Sequence, residues 1–202
     1  MTTKLFPFWK LIPPEVITYW QDKCESLPNG WVWNPPYNSM SLSSPAKEGS
    51  FCFKVYTTWY GVVTQFRKDI IPSIALPSTF NFRFWVKVTS VSGSELYLLG
   101  LTAGTVGISV WDVGDGVNLY VRIRNAGYES TQIYSMTKDI DHLVRLEVEQ
   151  DGATVRVKLY IDKVYKGIWS RVWVFGNLSS FLFQDNKGAY ELYVDWFRVT
   201  NL

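Results

Sequence analysis

Residues 79–88 read TFNFRFWVKV, and this alternation constrains the fold more than any other feature of the chain. Phe80, Phe82, Phe84, Val86 and Val88 fall on one side of a period of two, with Asn81, Arg83, Trp85 and Lys87 on the other. A helix would scatter those apolar residues around its circumference, whereas a strand gathers them on one dry face. The same logic recurs at 117–124, where Val117, Leu119, Val121 and Ile123 are expected inward and Asn118, Tyr120, Arg122 and Arg124 outward. Residues 142–150 and 153–162 predict a hairpin around Asp151-Gly152, a pair that tolerates positive φ. Further strands are predicted at 50–56, 60–67, 95–101, 107–113, 130–135, 181–184 and 190–200. Helical periodicity is nearly absent. About ten to twelve short antiparallel strands predict an all-β sandwich or barrel. The expected core includes Phe82, Phe84, Val121, Leu146, Val157, Leu159 and Val194. Residues 1–18 are proline-rich, aromatic and out of phase with the rest, and are read as an N-terminal arm preceding a sandwich domain over 19–202.

Composition narrows the function. Aromatic residues make up 17% of the chain, which favours pleated, half-buried surfaces. Twenty Lys and Arg face 18 Asp and Glu, a net charge of +2 with no run of like charge, so nucleic acid is not an expected partner. The chain has one histidine, His142, and two cysteines, Cys24 and Cys52, too few for most histidine or thiolate metal cages. The cysteines are read either as a disulfide or as two buried thiols. Pro7, Lys10 and Pro13-Pro14 break any signal-type apolar run near the N-terminus. The uncharged stretch 96–111 is interrupted by Gly100, Gly104 and Gly107, so no membrane span is expected.

Five segments, in order, carry a family resemblance: WQDKCESLPNGW (20–31), SPAKEGSFCFKV (44–55), LLGLTAG (98–104), HLVRLEVEQDGATVRVKLYID (142–162) and YELYVDWFRVTN (190–201). Together they resemble the concanavalin A-like lectin/glucanase jelly rolls, in particular the laminin-G-like and carbohydrate-binding-module branch. The resemblance implies two antiparallel sheets in a jelly-roll sandwich, often with a glycan on the concave face. It also implies a structural calcium ion, held by Asp22 or Glu25 together with Asp195. No other cofactor is implied.

Catalytic signatures are weak. Retaining glucanases of this fold carry an E-x-D-x-x-E strand that sets two carboxylates across the scissile bond, and the chain lacks it. Glu147 with Glu149, and Glu191 with Asp195, are the nearest pairs. Gln132-Ile133-Tyr134 with Arg122 and Arg124 resembles the face of jelly-roll polysaccharide lyases, but without the histidine base. His142 reads as a surface or capping residue. The segment 111–118 places Asp112, Asp115 and Asn118 at a spacing that suits a hard cation or a plain Asp-Gly hairpin. Asn177-Leu178-Ser179 is a glycosylation sequon, meaningful only in a secreted protein of suitable origin.

Binding chemistry is better represented. Sugars stack C–H faces on aromatic planes and offer hydroxyls to planar polar groups. Trp85, Tyr97, Trp111, Tyr120, Arg122, Arg124, Gln132 and Tyr134 are expected on faces opposite the core and form the candidate ligand surface. The competing expectation is that the arm or a partner chain covers this surface. Three functions follow, the first a non-catalytic β-sandwich module that binds a glycan or serves as an adhesion or recognition surface, and the second a structural or attachment subunit of an extracellular or viral assembly. A jelly-roll glycosidase or lyase is the third. Phe6, Phe8, Trp9, Leu11 and Ile12 make the arm apolar enough to seek burial in a second copy, giving a homo-oligomer. The expected location is extracellular, at a cell surface or on a virion.

Overall fold

A computed structural model of the chain describes residues 15–33, 38–58, 63–92, 96–100, 106–126, 128–186 and 188–201. Among the described residues there are strands and no helix. In chain order these are β1 (Thr18–Asp22), β2 (Trp31–Trp33), β3 (Asn38–Ser43), β4 (Cys52–Thr57), β5 (Val63–Ile74), β6 (Thr79–Ser92), β7 (Leu96–Gly100) and β8 (Val106–Asp112). Then follow β9 (Asn118–Asn125), β10 (Tyr128–Glu129), β11 (Tyr134–Thr137), β12 (His142–Asp151), β13 (Thr154–Ile161), β14 (Val164–Val172), β15 (Leu178–Asn186) and β16 (Ala189–Thr200).

They form two antiparallel sheets. The first has the order β14-β13-β12-β6-β16-β4-β3, with β1 also pairing along β16; the second has the order β10-β9-β8-β7-β15-β5-β2, with β11 also pairing along β9. This is the expected jelly-roll sandwich. Its register follows the alternation: Val144, Leu146 and Val148 of β12 stand opposite Phe84, Phe82 and Phe80 of β6, and opposite Ile161, Leu159 and Val157 of β13. Gly152, at φ 57, turns β12 into β13, and Asp162 and Lys163, at φ 53 and 69, turn β13 into β14. Two successive positive-φ residues suit a tight hairpin between right-twisted strands.

The inner faces meet in an aromatic layer. Phe82 of the first sheet lies 5.0 Å from Phe181 of the second, and Phe197 touches both Phe181 and Phe183 at 5.7 and 5.5 Å. Trp31 stacks on Phe183 at 5.3 Å. All seven residues expected in the core are buried. Polar groups also bridge the sheets, as where Asn125 of β9 donates to the Val155 carbonyl of β13 at 3.1 Å. Asp22 of β1, 3% exposed, accepts the Trp31 indole N–H at 3.1 Å and the Lys68 ammonium at 2.6 Å, joining the first sheet to β2 and β5 of the second.

Several expectations need correction. Val117 lies before β9 and is 55% exposed rather than inward. The strand expected at 130–135 begins only at Tyr134, because 130–133 form a loop in which the Ser130 amide bonds back to the Ile123 carbonyl. β14 was not expected: it is an edge strand whose exposed apolar residues blur the alternation. Thr18, assigned to the arm, opens β1, and Ile17 is tied to Asn201 by backbone and side chain. Residues 1–14 of the arm lie outside the described residues.

Burial in the layer sets the first prediction. Phe82→Ala or Phe84→Ala should lower unfolding free energy by about 3 to 5 kcal/mol through lost transfer energy plus a cavity. Ile71→Ala, at a site 89% exposed, should change it by less than about 0.5 kcal/mol. Denaturant titrations of the three variants decide, and equal effects at core and surface would contradict the layer.

Candidate functional site

The outer face of the second sheet gathers five of the candidate ligand residues. On β8, Gly107 and Ser109 face outward opposite Arg124 and Arg122 of β9. Neither has a bulky side chain, so the guanidiniums lie down across the sheet. Arg124 covers the Tyr97 ring at 4.0 Å and Arg122 the Trp111 ring at 4.4 Å. Glu129 of β10 receives both, at 3.2 Å from Arg122 and 3.1 Å from Arg124. Tyr120, opposite Trp111 with ring centroids 5.4 Å apart, is the most open ring of the group, 38% exposed. Across β7 the face continues through Gln184 and Gln65, joined by a 3.3 Å amide hydrogen bond. Glu129, Gln65 and Gln184 were not singled out from sequence. The glutamines occupy outward positions in strands that were expected, whereas Glu129 sits in a two-residue strand with no alternation to read.

The other three candidates lie elsewhere. Trp85 belongs to the outer face of the first sheet, on the opposite side of the sandwich, where its indole N–H reaches Glu48 at 3.5 Å. Tyr134 pairs with inward-facing Val121 and packs against the core, and its hydroxyl donates to Gln132 at 2.6 Å, hard against Gly167 of β14. Gln132 and Tyr134 therefore close the gap between the sheets and do not share the Tyr120 face. The late start of β11 reverses the facing expected for Tyr134.

The three carboxylates expected to hold calcium sit near the β16 bulge but are already taken. Asp22 binds Lys68, Trp31 and the Cys24 amide; Glu25 accepts the Ser50 amide at 2.7 Å; Asp195 Oδ2 accepts the Lys47 and Glu48 amides, each at 2.8 Å. Only Asp195 Oδ1 is buried without a hydrogen-bond partner. No cluster of three or more metal-ligating side chains is found among the described residues. These carboxylates fasten the 23–30 and 44–51 loops and do not fit a calcium ion as arranged. Burial raises the Asp195 carboxyl above its ordinary value against the pull of the two amides.

Cys24 and Cys52 are free, buried thiols, so the disulfide alternative is not met. The Cys52 Sγ turns to the Ser43 carbonyl at 3.4 Å and the Cys24 Sγ to the Asp22 carbonyl at 3.9 Å. Burial, then the nearby Asp22 and Asp195 charges, push the Cys24 thiol up; burial and Asp195 do the same to Cys52. Such thiols are unreactive.

The remaining candidates are structural. Glu147 takes Arg145 at 3.2 Å and the Tyr160 hydroxyl at 3.0 Å, Glu149 takes Arg156 at 3.4 Å, and Glu191 takes Lys54 at 3.0 Å. Asp115 accepts the Val117 and Asn118 amides, which lowers its carboxyl to about 2, and Asp112 accepts the Gly114 amide and pairs with Lys138. The 111–118 segment is thus a carboxylate-tied turn. His142 uses both ring nitrogens to hold a turn, facing Asp162 at 2.6 Å and the Thr137 carbonyl at 3.0 Å.

No protein-family model matches the chain, and no curated protein matches it. Solved structures match in fold. The chain is similar to a conserved carbohydrate esterase from Shiga toxin-encoding bacteriophage phi24B, with TM-score 0.63 and 13% identity over 93% of this chain and 99% of that one. It is similar to an endo-1,3-β-glucanase from Streptomyces sioyaensis, with TM-score 0.55 and 9% identity over 94% and 98%. The Emp47p carbohydrate recognition domain aligns with TM-score 0.52 and 13% identity over 92% and 94%. A sialidase aligns at TM-score 0.60 and 9% identity over 84% of this chain, which spans 17% of the sialidase's length. What these structures share with the chain is the fold, a jelly-roll sandwich of two antiparallel sheets. No helix among the described residues is long and apolar enough to cross a membrane.

Two outcomes follow. Native protein should leave both thiols inert to a disulfide reagent, and denaturation without reductant should release two; a count of zero after denaturation would show a bridge. The Lys138 hydrogen bond is the main reason the Asp112 carboxyl lies below its ordinary range. Its contribution to stability is present above the unfolded pKa and lost as pH falls through the folded one. Asp112→Asn should therefore cost up to about 1 kcal/mol near neutrality, with the difference vanishing in strong acid. Denaturant titrations at both pH values measure it, and a pH-independent difference would contradict the pair.

Proposed function

We propose that this protein is a non-catalytic glycan-binding module whose ligand lies across Tyr120 and Trp111 on the outer face of the second sheet. The observation that carries the reading is the combination on one face of the exposed Tyr120 ring and the half-buried Trp111 ring with Arg122, Arg124, Gln184 and Gln65. A sugar ring sets its C–H side on the aromatic planes, and its hydroxyls meet guanidinium and amide groups. Glu129 holds both guanidiniums in place before a ligand arrives, so less side-chain entropy is lost on binding. Similarity in fold to a carbohydrate recognition domain and a phage carbohydrate esterase supports the ligand class and a site of action outside the cell or on a virion. The ion-paired state of Glu147, Glu149 and Glu191 supports binding over hydrolysis.

A second reading, a structural or attachment subunit, is favoured by the β14 edge of the first sheet, beyond which no strand pairs among the described residues. There β14 exposes Val164, Tyr165, Ile168 and Val172 at 57, 52, 40 and 79%. An apolar edge strand invites pairing with another chain. The arm with Phe6, Phe8 and Trp9 is the other contact proposed for self-association.

A glycan array run with the intact chain and with Trp111→Ala and Tyr120→Ala tests the first reading. Each substitution should weaken glycan binding by about 2 kcal/mol, roughly thirtyfold in Kd; unchanged binding would reject the face. Light scattering of the intact chain beside Ile168→Lys with Val172→Lys tests the second. A mass that falls to the monomer in the variant supports edge assembly, and a monomer in both rejects it.

A further inference from the structure

The outer face of the first sheet carries three arginines in one row. Register sets Arg198 of β16 beside Arg83 of β6, and Arg83 beside Arg145 of β12. Like charges directly opposite one another on a sheet are destabilising unless something answers them. Arg145 is answered by Glu147 at 3.2 Å and by the Tyr160 ring 4.0 Å beneath it. Arg198 lies 4.7 Å from the centre of the Trp196 ring, and its Nε is buried with no hydrogen-bond partner. Arg83 forms no ion pair among the described residues. Burial, and then the Arg198 charge, hold its guanidinium below the ordinary range, and Glu48 counters this only in part.

Arg83 lines a hollow of about 80 Å³ with Glu48, Trp85, Leu143 and Trp196. A neighbouring hollow of about 140 Å³ shares Glu48 and Trp196 and extends toward Lys23 and Gly49. Trp196 stands at this spot because β16 bulges between Asp195 and Arg198. Its own backbone is in the left-handed region, at φ 42, which a bulky side chain adopts only under constraint. Bulges of this kind re-aim a side chain, here an indole, onto the outer face.

We propose that this hollow binds an anionic sugar residue, with its carboxylate or sulfate on Arg83 and its ring across Trp85 and Trp196. A guanidinium meets either group through two parallel N–H donors, and Arg198 stands next in the row with a donor unused. The indoles take the apolar side of the ring. Glu48, the one carboxylate lining the 80 Å³ hollow, already accepts the Trp85 N–H, which leaves it to receive a sugar hydroxyl. The bound anion also relieves the repulsion along the arginine row, so ligand and fold stabilise each other. The site lies on the opposite side of the sandwich from Trp111 and Tyr120 and does not rest on the reading of that face.

The test is calorimetric titration of the full chain with three oligosaccharides of equal length: tri-galacturonate, a sulfated galacto-trisaccharide and its neutral parent. At least one anionic probe should bind more tightly than the neutral one. Arg83→Gln should weaken that probe by at least about tenfold, the loss of one charge-assisted group, while Ile71→Ala, at an exposed site outside both faces' ring clusters, leaves it unchanged. Arg198→Gln should weaken it as well, which keeps the test open if Arg83→Gln does not fold. Trp196→Gly relieves the left-handed strain and should weaken binding without lowering the melting temperature. Which anionic probe binds distinguishes a carboxylate from a sulfate ligand. Binding of neither anionic probe overturns the proposal, as does equal affinity in Arg83→Gln. Loss confined to Trp111→Ala also overturns it, by moving the anion to the other face. Inorganic sulfate or a duplex DNA binding as tightly as the oligosaccharide overturns it too, because charge alone would then account for the affinity.

Discussion

Everything else in this structure depends on keeping the inner faces of two sheets dry against each other. The layer formed by Phe82, Phe84, Phe181, Phe183, Phe197 and Trp31 is continuous from one sheet to the other. Its stability comes from apolar area removed from water and from close packing, terms that do not depend on the outward residues. Asp22 is one polar exception. Buried at the edge of the layer, it is tolerated because Lys68, the Trp31 indole and a backbone amide satisfy it, and in return it sets how β1 meets β2 and β5. Because the inner faces hold the fold, both outer faces are free to carry chemistry.

That division explains what sequence reading could reach. Period two separates inward from outward within a strand, so the core residues and the β12–β13 hairpin were legible. It carries no information about which sheet a strand joins. Trp85 and Trp111 both read as outward aromatics, yet they stand on opposite sides of the sandwich. Facing also depends on where a strand begins. The loop through 130–133 delays β11, so that Tyr134 turns inward toward Gly167, away from Tyr120. Edge strands are harder still, as β14 shows, because an edge has no neighbour to impose a dry face along its whole length.

The loop carboxylates show a different limit. Asp22, Glu25 and Asp195 come together near the β16 bulge, as the family resemblance implies, but their oxygens bind backbone amides, an indole and an ammonium. Sequence identifies an acidic residue without saying which donors fold around it. The same bulge that buries Asp195 brings Trp196 to the surface beside Arg83 and Trp85. One outer face thus offers rings with guanidiniums already paired to Glu129. The other offers rings around a guanidinium that is not.

The central claim is that the Trp111–Tyr120 ring pair on the second sheet is a sugar surface. It is most directly tested by following indole N–H signals in a nuclear magnetic resonance titration of the full chain with a neutral gluco-oligosaccharide. The account predicts that the Trp111 signal shifts with saturation while that of Trp31, held inside the layer on Asp22, stays fixed. Saturable sugar binding that leaves Trp111 unmoved would contradict it.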